Sequence, residues 1–93
     1  GACLRTIGSY GSGARQFICP YGVAFDSAGH IIIADLGNHR LQVLRYSDGS
    51  HVRTIGSEGS GNGQFNLPYG VLVDGQGRII VSEYGNHRIQ VLQ

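Results

Sequence analysis

One feature dominates this sequence: it repeats itself. Residues 1–45 fall on residues 49–93 without a gap at an offset of 48, and 26 of the 45 pairs are identical. Arg5-Thr6-Ile7-Gly8-Ser9 lies on Arg53-Thr54-Ile55-Gly56-Ser57, and Gln16-Phe17 lies on Gln64-Phe65. Pro20-Tyr21-Gly22-Val23 lies on Pro68-Tyr69-Gly70-Val71, and Gly37-Asn38-His39-Arg40 lies on Gly85-Asn86-His87-Arg88. A period of roughly 40–50 residues belongs to propeller blades or helical solenoid units. Composition separates the two. Sixteen glycines in 93 residues oppose helices, and the apolar patterns are those of strands.

Each repeat reads as four short strands. In the first, residues 22–26 form the innermost strand and end in the turn Ser27-Ala28-Gly29. Residues 30–35 form the second, apolar in both directions over 31–34, so it needs cover on both faces. The turn Leu36-Gly37-Asn38 follows. Residues 40–46 form the third strand, alternating as Leu41-Gln42-Val43, and residues 51–55 form the outermost. A loop over 56–67, read as a flexible connection, leads to the next repeat.

These residues resemble the NHL repeat family. The stretch from Gln64-Phe65-Asn66-Leu67-Pro68 through Asp74 is similar to the opening segment of that repeat. The stretch Ile33-Ala34-Asp35-Leu36-Gly37-Asn38-His39-Arg40-Leu41-Gln42-Val43 is similar to its closing segment. The resemblance spans nearly the whole chain and implies an all-β fold of four-stranded blades in a β-propeller, usually with six blades. It also implies an interaction module whose ligands are proteins or single-stranded RNA. Lyases and hydrolases with channel-bound metal on similar rings are the enzymatic alternative.

The register then sets the expected organisation. Residues 1–93 form one repeat module. Residues 4–55 hold an outer strand at 4–7 plus a first complete blade, and 68–93 hold three strands of a second blade. Two blades cannot close a ring. Blade faces are apolar, and a free strand edge is a pairing template. Head-to-tail contacts close into rings or run on as filaments. The expectation is a homotrimer of six blades, each chain donating residues 4–7 to a neighbour, with an eight-bladed tetramer as the alternative.

Charge and cysteines bound the function further. The net charge is +1, which gives no field suited to DNA. No apolar run approaches the length of a membrane span. Two cysteines, Cys3 and Cys19, are too few for a disulfide framework, so the expected compartment is the cytoplasm. Cys19 is expected to pack as a small apolar residue.

Candidate chemistry is sparse. His39 and His87 occupy equivalent turns and read as repeat histidines that pin those turns rather than metal ligands, so no metal or cofactor is expected. Asp26 and Asp74 read as turn caps. Asp35 and Glu83 read as structural carboxylates. The loops at Gly8-Ser9-Tyr10-Gly11-Ser12-Gly13 and Gly56-Ser57-Glu58-Gly59-Ser60-Gly61 match neither a nucleophile elbow nor a phosphate loop, and no catalytic residue is expected. One propeller face should carry Tyr10, Arg15, Tyr21, Leu36, His39, Tyr69, Tyr84 and His87. These residue types suit a protein interface or stacked single-stranded bases, with Tyr21 and Tyr69 at the channel mouth.

Overall fold

The computed structural model describes residues 2–93. Two antiparallel sheets are built in the expected order. The first contains β3 (Pro20–Phe25), β4 (His30–Asp35), β5 (Arg40–Arg45) and β6 (His51–Ile55), adjacent in chain order. The second contains β7 (Pro68–Val73), β8 (Ile79–Glu83) and β9 (Arg88–Leu92). Short turns join neighbouring strands. Asp26 and Asp74 close the first turn of each sheet as expected: Asp26 Oδ1 accepts the N–H of Ala28 and of His30, and Asp74 Oδ1 accepts those of Gln76 and Arg78, each at 2.9 Å.

The expected boundaries shift by a residue or two at the inner strands. Both begin at the proline, and both carry a register irregularity just after it. The turn at Leu36–Asn38 is a single turn of 3-10 helix, where no helix was expected. Three residues suffice for it, because Asp35 and Asn38 clamp its two ends at 2.9 Å. Among the described residues no helix is long and apolar enough to cross a membrane.

The loops are not the flexible connections that their glycine content suggests. Before the first blade, β1 (Ser9–Tyr10) pairs in parallel with β2 (Gln16–Phe17), and Glu58 and Phe65 make the matching bridge before the second. The strand expected at 4–7 does not form within the single chain. Instead, Arg5 donates to the carbonyls of Tyr46 and Ser47, and its guanidinium lies 4.7 Å from the Tyr46 ring centroid. Ile7 packs near Phe17, Ile31 and Ile33 on the outer face of the first sheet.

The core lies between the two sheets, where β7 runs against β3 and β4. Ile32, Ala34, Leu41 and Val43 of the first sheet meet Phe65 of the loop between the sheets and Val71, Ile79 and Val81 of the second sheet. Burying each large apolar side chain is worth about 1.5–3 kcal/mol. Strand alternation decides which residues enter: Ile32 and Ala34 point inward, so Ile31 and Ile33 point to the opposite face.

Candidate functional site

The loop ends are organised around one carboxylate per blade. Asp35, at the end of β4, is fully buried. Its Oδ1 accepts the Ile18 N–H at 2.9 Å, and its Oδ2 accepts from Asn38 Nδ2 and Arg40 Nε, both at 2.9 Å. Arg40 then spreads its remaining N–H groups over the carbonyls of Ser12, Gly13 and Gln16. Gln42 Nε2 also reaches Gln16 O at 2.6 Å, and its Oε1 accepts the Arg15 N–H at 3.0 Å. Asn38 closes the set on Gly11 O. With four of its N–H groups so engaged, this guanidinium binds the glycine-rich loop to the blade.

The second blade repeats the arrangement. Glu83 accepts from Asn66 N–H, Asn86, Arg88 and Gln90. Arg88 reaches the carbonyls of Ser60, Gly61 and Gln64. Burial alone would raise the Glu83 pKa, but the hydrogen bonds from Arg88, Asn86, Gln90 and the Asn66 N–H outweigh it and hold the carboxyl below its usual range. Asp35 and Glu83 are thus structural, as read from the sequence. The partners Asn38, Arg40 and Gln42 were missed as a unit. Their signal was present in the identity of Gly-Asn-His-Arg and of Gln-Val across both repeats.

The expected binding residues divide into separate groups. Tyr21 and Tyr69 come together, with ring centroids 4.0 Å apart and the Tyr69 hydroxyl donating to that of Tyr21 at 2.5 Å. That hydrogen bond, with some desolvation, raises the Tyr69 pKa. Tyr84 and His87 are exposed neighbours, with ring centroids 6.4 Å apart. Tyr69 and Tyr84, with Ser82 and Glu83, line one hollow. Tyr10 and Arg15 are exposed on the clamped loop that precedes β3, and Leu36 is half-buried.

His39 is engaged in structure. It has a left-handed backbone, φ 54°, and its Nδ1 accepts the Leu67 N–H at 3.1 Å, while Nε2 lies 3.9 Å from Glu58. This imidazole pins the first blade's turn to the segment entering the second blade. Cys19 corrects the sequence reading: it is exposed, with a left-handed backbone at φ 56°. Among the described residues, no three His, Cys, Asp or Glu side chains cluster as a metal-binding set would require.

Comparison with known proteins places this architecture. The family described as NHL repeat matches residues 17–44 and 65–92, one match on each blade. The chain belongs to the NHL repeat family. The matched segments run from the phenylalanine beneath each clamped loop to the third strand, so they contain the carboxylate, the Asn-His-Arg turn and the glutamine of each hub. The chain is also similar to the E3 ubiquitin-protein ligase TRIM71 of Rattus norvegicus, at 47% identity over 51 residues. That match covers 55% of this chain and 6% of the ligase.

Proposed function

We propose that this NHL-repeat chain is a non-catalytic interaction module that joins copies of itself into a closed six-bladed propeller, as a homotrimer, and offers its loop face to a protein ligand. The observation that carries the assembly is a reversal of burial between equivalent residues. Leu41 and Val43 are fully buried between the blades, whereas Ile89 and Val91, at the same places in the second blade, are 68% and 61% exposed. Conversely Val71 is 4% exposed and its counterpart Val23 is 54% exposed. Each outward face is therefore a copy of a face that the chain already buries. A second copy laid head-to-tail reproduces the existing interface.

Magnitudes support this occupant. Val23 and Phe25 on one face and Leu72, Ile89 and Val91 on the other are all exposed. Burying five such side chains is worth roughly 10 kcal/mol, against an association cost of about 4–15 kcal/mol. Face contact alone is marginal, so pairing of residues 4–7 with the free edge of β9 supplies the remainder. Three joints closing a ring add cooperativity that a single joint lacks. Light scattering across a dilution series tests this. The proposal requires a mass about three times 9.9 kDa, and a folded species of 9.9 kDa would overturn it.

On the loop face, Tyr10, Arg15 and Tyr84 offer exposed side chains on hub-clamped backbone, while Tyr21, Tyr69 and His39 serve the junction of the blades. Rigid presentation lowers the entropic cost of binding. The exposed rings of Tyr10 and Tyr84 favour a second reading, stacking of single-stranded RNA, with Arg15 at phosphate. Titration with a labelled uridine-rich oligonucleotide at low and high salt separates them, since RNA binding must weaken steeply with salt.

A further inference from the structure

The junction between the two blades has a small, specific set of backbone contacts, and the molecule carries a second, unused set. At the junction, His39 and Leu67 both adopt left-handed conformations, φ 54° each, and the Leu67 N–H donates to His39 Nδ1 at 3.1 Å. Close by, Gly22 lies against the second blade so tightly that a Cβ on it would sit 2.5 Å from the Tyr69 carbonyl oxygen.

Among the described residues, the counterparts have no such partners. His87 has φ 53° and Cys19 has φ 56°, within a few degrees of His39 and Leu67. Side chains rarely adopt this region, and here two of them hold it without the contact that accompanies it at the junction. The hubs account for that. Ile18 N–H is fixed on Asp35, one residue before Cys19, and Asn86 and Arg88 flank His87 and are fixed on Glu83. Both halves of a latch are thus shaped in advance. Gly70 is likewise bare: a Cβ on it would meet only the Ser82 hydroxyl oxygen, at 2.9 Å.

We propose that His87 Nδ1 accepts a hydrogen bond from the Cys19 N–H of a second copy, and that Gly70 admits the Tyr21 carbonyl of that copy. The occupant follows from continuity with the existing junction. The required partner is a left-handed residue with a free N–H followed by Pro-Tyr-Gly, which is Cys19-Pro20-Tyr21-Gly22 of this chain. One component differs between the joints. The place that Glu58 takes beside His39 falls to Tyr10 of the second copy, so the joint between chains exchanges a carboxylate for a phenol.

This latch rests on the ring reading, and two substitutions separate them. His87→Gly keeps a residue at ease in the left-handed region and removes the acceptor. Gly70→Ala adds the Cβ that the incoming carbonyl would strike. Trimer dissociation is read by light scattering on dilution, strand content by circular dichroism, and exchange of the Cys19 amide by NMR. His87→Gly is expected to weaken each joint about fivefold, the order of one hydrogen bond, and to accelerate Cys19 amide exchange. Gly70→Ala is expected to leave strand content intact and yield monomers. If the unaltered chain is itself monomeric, the ring and the latch both fall. If it is trimeric but His87→Gly changes neither dissociation nor Cys19 exchange, the latch falls and the ring stands.

Discussion

Arg40 Nε donates to Asp35 Oδ2 at 2.9 Å, with the carboxylate completely buried and the guanidinium nearly so. The pair holds the loop before the blade, because every remaining guanidinium N–H with a partner reaches a carbonyl of that loop. Removing one partner from a buried ion pair strands the other and costs about 3–5 kcal/mol. Domains of this size have about 5–15 kcal/mol in total. Asp35→Ala is therefore expected to lower the urea midpoint by about a fifth or more, with Arg40→Lys intermediate, because lysine cannot reproduce the fork. An unchanged midpoint for Asp35→Ala would contradict the hub.

Glu83 makes the second hub sensitive to acid. Its pKa is held below the usual carboxylate value by Arg88, Asn86, Gln90 and the Asn66 N–H, acting against burial. A carboxyl with a depressed folded-state pKa contributes stability that is complete above the unfolded value, about 4.3, and is lost as pH falls through the folded one. Urea midpoints for the native chain should therefore decline as pH drops below about 5. In Glu83→Gln the midpoint should be lower at neutral pH and decline less on acidification. Parallel curves for the two proteins would count against this assignment.

The strands and the hubs were not equally legible. The strand from His30 to Asp35 could be read because four consecutive apolar residues bounded by turn formers admit little else. The offset of 48 fixed the second sheet from the first. The clamped loops could not be read, because glycine-rich segments carry no periodicity. Their order comes from Arg40 and Arg88, which are about 25 residues away in sequence and satisfy carbonyls rather than side chains. Cys19 was misread for a related reason. Residue type favours burial of cysteine, but cover by a neighbouring element decides it: Leu67, with the same left-handed backbone, is half-buried at the junction of the blades, whereas Cys19 is exposed.

Tyr69 offers a direct reporter of the blade junction. Its hydroxyl is hydrogen bonded to that of Tyr21, which raises its pKa. Tyr21→Phe removes the partner while keeping the ring stack. Titration of tyrosinate absorbance should then show Tyr69 ionising closer to the ordinary tyrosine value of about 10. If Tyr21→Phe leaves the titration of the remaining tyrosines unmoved, the two hydroxyls do not meet in solution.

The register of the strand that would complete the second blade can be stated residue by residue. Within the first blade Leu41 faces Ile55, Gln42 faces Thr54 and Val43 faces Arg53. Moved by the offset of 48, in the proposed ring Ile89 of one chain would face Ile7 of the next, Gln90 would face Thr6, and Val91 would face Arg5. The opening segment already lies in a suitable place: Ile7 rests on the outer face of the first sheet near Phe17, Ile31 and Ile33, as Ile55 rests against the core cluster. Facing strand residues have Cα atoms about 4.5–5.5 Å apart, within reach of a disulfide. Thr6→Cys with Gln90→Cys, with Cys3 and Cys19 replaced by serine, should therefore oxidise to covalently linked chains that run as trimers under denaturing, non-reducing conditions. Oxidised product at the monomer mass, with the two new cysteines joined within one chain, would show that the segment folds onto its own blade and that copies do not complete one another.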